Sequence, residues 1–426
     1  MLSRGFVVLW LAMLVAMAGI GMVSPLLPVY VREELHGPAV AVALSFSGVS
    51  VAQIIASPFV GRLGDRFGVK QFIVMGFFVY GASGLGYLLA SNWELVVTLR
   101  ILSGAGVALI FPMSLAYVGR LAPRDREGTY MGAFAIAQIA GFGIGPLVGG
   151  GVRDVFGPDT AFALMALLLA VTGAFVLLLL PRRARPRGAP ADYEQPEEAA
   201  APWSELLRRP VVQAAMAVTL VAALAWSASG AFLPVFVISQ EGLGTDSATF
   251  VGILLGGRAL MSAAMQPLFG RLADRMDRNI LLSAGLCVSA VGQFLIPSMP
   301  RDAVATSLFG NAVTIVPWVL VAYLVVGFAE AAVFPSLSAI FVSIGRTAGM
   351  GSIMGVNQMA SAIGFLGGSL LGAAVVSTFG ISTVFRYSGV MSVLGVLVFL
   401  WLSRRGRPRR PGGLFETPEV ETAPAR

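Results

Sequence analysis

The chain has 426 residues, of which 57% are hydrophobic and only 12% are charged, and its formal net charge at pH 7 is +7. Soluble domains carry roughly 25% charged residues, so water is excluded as the solvent for most of this chain. The mean hydropathy of +0.83 and the recurrence of apolar runs of about 20 residues instead predict a polypeptide that crosses a membrane many times as helices.

Twelve membrane-spanning helices are predicted from these runs. The first follows only Arg4, extends past the core of a signal peptide and lacks a small-residue cleavage site, so it is expected to remain as a span. The fold class is therefore an all-α membrane protein. In chain order the predicted spans cover residues 5–31, 38–60, 71–91, 95–118, 129–151, 160–180, 211–238, 247–269, 279–299, 317–343, 349–376 and 381–402.

Basic residues set the predicted orientation, because Lys and Arg near span ends favour the cytoplasmic side. Most of the 29 Lys and Arg residues fall on one side of the twelve spans, and the residues on the other side are Arg32, Arg153, Arg301 and Arg386. Both termini are therefore expected in the cytoplasm, with the protein in the plasma (inner) membrane. Attraction to anionic lipid explains the positive charge, and no basic domain with interleaved aromatics predicts nucleic-acid binding.

Residues that carry enzyme chemistry are scarce. The single cysteine, Cys287, lies inside an apolar span, and the single histidine, His36, has no second metal ligand near it in sequence. The chain has no phosphate-binding loop and no nucleophile-base pair. We therefore expect no enzyme activity, no catalytic residue, no metal site and no cofactor.

Residues 181–210 interrupt the apolar pattern with Pro, Arg and Glu and are interpreted as a cytoplasmic linker. The linker separates a six-helix bundle at 1–180 from a second one at 211–403, and a cytoplasmic tail follows at 404–426. The bundles repeat each other: PLLPVYV matches AFLPVFV at an offset of 206 residues, SPFVGRLGDR matches QPLFGRLADR at 209, and GFGIGPLVGG matches GFLGGSLLGA at 223. Two such pseudo-symmetric halves can rock around a central site.

The whole chain resembles the major facilitator superfamily, in particular its drug:proton antiporter-like branch. GRLGDRFGVK, residues 61–70, is similar to the signature loop between spans 2 and 3, and GRLADRMDRN is a weaker copy between spans 8 and 9. The resemblance implies that Asp65 contacts the N-terminus of span 11 and holds the cytoplasmic side shut in one state. The residues of this conformational clasp are Gly61, Asp65, Arg66, Gly68, Lys70, Asp274 and Arg275.

Span 5 contains a glycine-rich segment, GFGIGPLVGG, at 141–150. Small residues let helices approach closely and proline bends a helix, so helix packing explains part of this pattern. Its spacing also resembles the antiporter motif of the superfamily, which implies export rather than uptake. The residues of this antiporter-like motif are Gly141, Gly145, Pro146, Gly149 and Gly150.

Ionisable residues inside spans are costly and are therefore functional candidates. Of the 22 acidic residues only Glu330 falls near the middle of a span, where burial disfavours the charged form and makes it a candidate proton carrier. Arg100 resembles the arginine of a span-4 motif linked to proton coupling. Two alternatives stay open: Arg100 could snorkel to the surface, and Glu330 could be a structural partner of Arg258. The predicted proton-coupling or substrate residues are Glu330, Arg100, Arg258 and Tyr323.

Together these patterns predict a secondary active transporter that exports small amphipathic or drug-like compounds in exchange for protons by alternating access. Proton-coupled uptake of a small metabolite and transport of a lipid-like amphiphile are the alternatives. The proton gradient is the expected energy source. The expected partners are a small-molecule substrate, protons and membrane lipids, with no nucleic acid, and the chain is expected to act as a monomer.

Overall fold

The computed structural model describes residues 3–56, 69–121, 127–181, 207–245, 247–276, 278–308, 311–348 and 350–405. Most of the predicted linker and tail lie outside these ranges. Within them the chain is overwhelmingly helical, and the helices are numbered here by the span that each one forms.

The first two spans are interrupted helices. The first, α1, runs as Arg4–Val23 and Leu26–Val29 and closes with a π-helical turn at Tyr30–Glu34. The second, α2, consists of Ala39–Ser47 and Val49–Ala56, which meet at a bend of 49°. The other spans of the N-terminal half are α3 (Val69–Leu88), α4 (Trp93–Leu121), α5 (Glu127–Phe156) and α6 (Pro158–Leu179).

The C-terminal half repeats this arrangement with longer helices. Its spans are α7 (Pro210–Ile238), α8 (Ala248–Arg275), α9 (Arg278–Leu295), α10 (Pro317–Ala348), α11 (Met350–Phe379) and α12 (Thr383–Arg405). Within the described residues, ten helices are long and apolar enough to cross a bilayer, the two segments of α2 together form an eleventh span, and the apolar part of α10 is shorter. The predicted all-α membrane fold of twelve helices is confirmed.

A small β-hairpin between α9 and α10 was not predicted. Strands β1 (Val304–Leu308) and β2 (Asn311–Ile315) pair antiparallel, with Val304 opposite Ile315. Both strands are rich in β-branched residues, which favour extended backbone. The stretch lies between two predicted spans, where the hydropathy pattern carries no information about local structure.

Glycines bring α5 against α1 in the first half and α11 against α7 in the second. A Cβ atom on Gly145 would clash with the carbonyl oxygen of Ala18, and one on Gly368 would clash with that of Leu224. The glycines are related by the 223-residue offset and their partners by the 206-residue offset of the sequence repeat. The repeat is therefore also a repeat of helix contacts.

The same correspondence holds for α4 against α2 and α10 against α8. Gly104 lies against the backbone of Val49, and Gly327 lies against the backbone of Arg258. Close backbone approach of this kind is how small residues hold helices together in a lipid environment. It also fixes which faces of α8 and α10 meet, and so positions the side chains described next.

Candidate functional site

A buried ion pair lies inside the C-terminal half. Arg258 on α8 donates its Nε–H to Glu330 Oε2 on α10 at 2.9 Å and an Nη2–H to Oε1 of the same carboxylate. The two side chains are only 5% and 15% exposed. A guanidinium fork on a carboxylate gives two charge-assisted hydrogen bonds of fixed geometry. The structure therefore shows Glu330 paired with Arg258, which was one of the two alternatives left open by the sequence.

Backbone contact between α8 and α10 makes this pairing possible. Gly327 lies against the backbone of Arg258, and Glu330 follows it by three residues, about one helical turn. A side chain at position 327 would push the helices apart and lengthen the hydrogen bonds of the fork. The glycine and the ion pair therefore form one local unit.

Two aromatic rings flank the guanidinium of this pair. The Arg258 Cζ atom lies 5.7 Å from the centroid of the Trp226 ring and 5.6 Å from that of the Tyr323 ring. Both distances allow a cation–π interaction. Tyr323 is completely buried, and its hydroxyl has no hydrogen-bond partner among the described residues. The structure thus brings together Glu330, Arg258 and Tyr323 as predicted, and it adds Trp226, which the sequence analysis missed.

Arg100 forms a separate polar centre in the N-terminal half. It donates to the Tyr80 hydroxyl at 2.6 Å, to Ser24 Oγ at 3.0 Å and to the carbonyl oxygen of Phe46 at 3.4 Å. Its side chain is only 2% exposed, so the alternative in which Arg100 snorkels to the surface is wrong. The partners are all neutral, and Ser24 and Tyr80 were not identified from the sequence because they are single polar residues on other spans.

An aromatic cluster spans the two halves between these centres. The ring of Phe46 on α2 stacks on Phe365 of α11 at 5.1 Å, and Trp226 of α7 lies 5.0 Å from Phe365 and 6.4 Å from Phe46. Phe46 also accepts a hydrogen bond from Arg100, and Trp226 covers Arg258. The cluster therefore connects the two charged centres through aromatic contacts.

The antiporter-like motif on α5 has two faces. Gly141, Gly145 and Gly149 lie against α1 within the N-terminal half. Gly150 lies against the backbone of Ala248 on α8 and thus crosses to the C-terminal half. Since these contacts leave no room for a Cβ atom, helix packing accounts for the glycines. The implied link of the motif to export stays a prediction.

The contact between α5 and α8 continues as a seam of small residues. Pro146 presents its carbonyl oxygen to Gly252, and a Cβ atom on Gly256 would lie 2.6 Å from the carbonyl oxygen of Gly143. Across the other pair of helices that joins the halves, α2 and α11, Ser47 and Ser369 share a hydrogen bond of 2.5 Å. The described halves therefore meet through small residues on both sides of the aromatic cluster.

These contacts can be placed relative to two membrane faces. The terminal face is the one on which α1 begins at Arg4 and α12 ends at Arg405, and the far face is the opposite one, on which α5 ends and α8 begins. At the far face, Asp154 of α5 accepts hydrogen bonds from the backbone N–H groups of Ala248 at 3.1 Å and Thr249 at 2.7 Å. The sequence analysis missed this residue because an acid at a span end is ordinary without knowledge of its partner.

The predicted clasp cannot be compared with the structure in full. Gly61, Asp65, Arg66 and Gly68 lie outside the described residues, while Lys70 lies in the first turn of α3. Asp274 and Arg275 are the last two residues of α8. The contact of Asp65 with the start of α11 therefore stays a prediction.

Comparison with known families places this arrangement. The profile of the Major Facilitator Superfamily matches residues 9–256 and 245–423, once for each half of the chain. The chain belongs to the Major Facilitator Superfamily. As a member of this superfamily it is a multi-pass membrane transporter and not an enzyme.

Several members of the superfamily are similar along the whole chain. An uncharacterized MFS-type transporter of Methanocaldococcus jannaschii is 24% identical over 404 residues, which cover 95% of this chain and 99% of that protein. The multidrug resistance protein MdtG of Serratia proteamaculans is 28% identical over 422 residues, covering 96% and 95%. Multidrug resistance protein 2 of Bacillus subtilis is 33% identical over 177 residues, covering 40% and 43%.

A solved structure shows the same fold. The crystal structure of the human organic anion transporter MFSD10 (TETRAN) superimposes with a TM-score of 0.66 at 17% sequence identity, covering 93% of this chain and 99% of that one. At this identity the likeness concerns the fold alone.

Proposed function

We propose that this superfamily member exports small amphipathic or drug-like compounds in exchange for protons by alternating access. The observation that carries the proposal is the buried bidentate pair of Arg258 and Glu330, because Glu330 is the acidic residue that lies near the middle of a span. The names of relatives that are called multidrug resistance proteins support the substrate class.

Proton uptake by Glu330 would change the environment of Arg258. The ionised carboxylate neutralises the guanidinium, and a proton on either carboxylate oxygen removes that negative charge and weakens both hydrogen bonds of the fork. Arg258 would then keep its contacts with the rings of Trp226 and Tyr323. A buried cation without its anion favours any rearrangement that exposes it to water or to a new partner.

Coupling follows if the proton and the substrate favour opposite states of the protein. Trp226 contacts both Arg258 and Phe365, so a displacement of the guanidinium reaches the aromatic cluster that joins the halves. In the proposed cycle Glu330 takes up a proton when the site opens to the outside and loses it when the site opens to the cytoplasm. The proposal includes cytoplasmic termini, a plasma-membrane location and a monomeric chain.

Transport in proteoliposomes tests the coupling. With a fluorescent amphipathic dye inside or outside the vesicles, Glu330→Gln should abolish uphill movement driven by a pH gradient and retain downhill movement. Glu94→Gln is the matched control, since Glu94 is an exposed residue in the first turn of α4. If the pH gradient still drives uphill transport by the Glu330→Gln variant, Glu330 is not the coupling residue.

The direction of transport needs a second measurement. Export predicts that inverted membrane vesicles accumulate the dye when their lumen is acidified, and that whole cells carrying the protein retain less dye than cells without it. Proton-coupled uptake predicts the reverse pattern in both preparations. Transport of a lipid-like amphiphile would appear as movement of a labelled lipid between leaflets with no effect on the dye.

A further inference from the structure

The first backbone N–H groups of α8 are capped from both halves of the protein. Ser247, the N-cap residue, accepts a hydrogen bond from the N–H of Phe250 at 3.2 Å. The N–H groups of Ala248 and Thr249 instead reach the two carboxylate oxygens of Asp154 on α5. These N–H groups have no acceptor within their own helix. The other half of the protein therefore completes the cap.

The charge of Asp154 suits this position. The helix that it caps is 28 residues long, and the partial positive charge at a helix N-terminus attracts a carboxylate most strongly when the site is partly buried. Ser247 Oγ lies a further 3.4 Å from the Oδ2 atom. Arg153 lies 3.7 Å from Oδ1, but it belongs to the same helix as Asp154 and so moves with it.

The contact lies where α5 and α8 must separate if the far face opens. Directly beside it, Gly150 touches the backbone of Ala248, and the glycine seam continues toward the middle of the membrane. Glycine contacts carry no interlocking side chains, so the seam can part without repacking. The carboxylate at its end adds directional, charge-assisted hydrogen bonds to this separable surface.

The internal repeat shows that this contact is not a general consequence of the packing. The 223-residue offset places Ser377 of α11 at the position of Asp154, and Ser377 donates its hydroxyl to Ala374 of its own helix. The 209-residue offset places Pro38 at the position of Ser247, and Pro38 makes no side-chain cap on α2. The symmetry-related pair of helices thus lacks a carboxylate cap, although both halves keep the glycine contacts.

We propose that Asp154 is the far-face latch of the transport cycle: its carboxylate holds that face closed by capping α8 across the two halves, and the cap must break each time the face opens. The inference rests on the alternating movement proposed above. It assigns to the far face the same kind of contact, a carboxylate on the N-terminus of a helix from the other half, that the sequence predicts for Asp65 and α11 at the terminal face.

Distances between spin labels on the far face test the latch. In a Cys287→Ser background, labels at two exposed far-face positions, Ser91 in the first half and Glu241 in the second, report whether the halves are together or apart. Asp154→Ala should raise the ratio of open to closed far face by about tenfold, as expected for the loss of two charge-assisted hydrogen bonds. Asp159→Ala, which removes an exposed carboxylate from the same face, should leave the ratio unchanged.

Two further variants separate the latch from a role in folding. Ala248→Pro removes one of the two donors and keeps the carboxylate, and proline is tolerated at the first position of a helix. It should shift the ratio in the same direction as Asp154→Ala but less. Ser247→Ala removes the cap that α8 makes for itself, so it should lower the melting temperature and leave the ratio near that of the parent.

The outcomes are distinct from those of the transport assay. If the label distances in Asp154→Ala and Ala248→Pro match the parent, while the parent itself changes between acidic and neutral pH, the latch is wrong and the proposed cycle stands. If Ser247→Ala shifts the ratio as much as Asp154→Ala, the carboxylate is only a helix cap and the latch is again wrong. If the Asp154 variants shift the ratio and Glu330→Gln retains uphill transport, the latch stands and the coupling assignment fails.

Discussion

Replacing Glu330 by glutamine should destabilise the protein more than replacing both members of its ion pair. The single change leaves the Arg258 guanidinium buried without a counter-charge. Removing one partner of a buried pair costs about 3–5 kcal/mol, and the 15% exposure of the Glu330 side chain places this site near the lower end, at about 3 kcal/mol. Arg258→Gln should cost about 2 kcal/mol, because a stranded carboxylate can take up a proton and become neutral.

The double variant carrying both glutamines should cost only about 2 kcal/mol, since it buries two neutral amides that can bond to each other. The interaction energy of the cycle is then about 3 kcal/mol. For a six-helix half of roughly 200 residues, 1 kcal/mol corresponds to about 2–4 °C in melting temperature. Glu330→Gln should therefore melt about 6–12 °C below the parent and the double variant about 4–8 °C below it.

Thermal unfolding of the purified protein in detergent, followed by tryptophan fluorescence at one heating rate, measures these shifts. Glu94→Gln serves as the exposed control and should change stability by less than about 0.5 kcal/mol. If the double variant loses as much stability as the two single variants added together, the fork seen between Arg258 and Glu330 is not an energetic unit. The transport assay of Glu330→Gln should be run well below its melting temperature so that loss of coupling is not confused with unfolding.

Two other substitutions test the glycine contacts and the predicted clasp. Gly145→Val should destabilise the protein by about 1–3 kcal/mol or more, because α1 leaves no space for a Cβ atom there, whereas Gly132→Val, where a Cβ atom would meet nothing within 4 Å, should be tolerated; monodisperse yield and melting temperature compare them. Asp65→Asn should change the rate at which a thiol reagent labels a cysteine at Arg208 in a Cys287→Ser background, and an unchanged rate would count against the clasp.

Much of the architecture could be predicted from the sequence for a local reason. A segment that crosses a bilayer must satisfy its own backbone hydrogen bonds and present about 20 apolar residues, so each span announces itself in one stretch of chain. The two halves could also be predicted, because the offset that relates Gly145 to Gly368 is visible without any coordinates. The hairpin from Val304 to Ile315 escaped the same method, since hydropathy says little about a short loop outside the membrane.

The candidate site was predicted only in part. Glu330, Arg258 and Tyr323 stood out as unusual residues within apolar spans, and the structure brings these three together. Trp226 and Asp154 did not stand out, because a tryptophan in a span and an acid at its end are common. Their importance comes from neighbours distant in the chain: Trp226 from Arg258 of the next span, and Asp154 from an N–H group 94 residues away.

By itself the sequence determined the number of spans, their division into two halves and the presence of a charged residue in the membrane interior, because hydrophobicity and charge act residue by residue. Only the tertiary structure decided that Glu330 pairs with Arg258 and that Asp154 caps α8. These pairings depend on the rotation and crossing of whole helices, which are set where glycines such as Gly327 and Gly150 let two backbones touch. A contact of that kind belongs to two segments at once, and neither segment carries it alone.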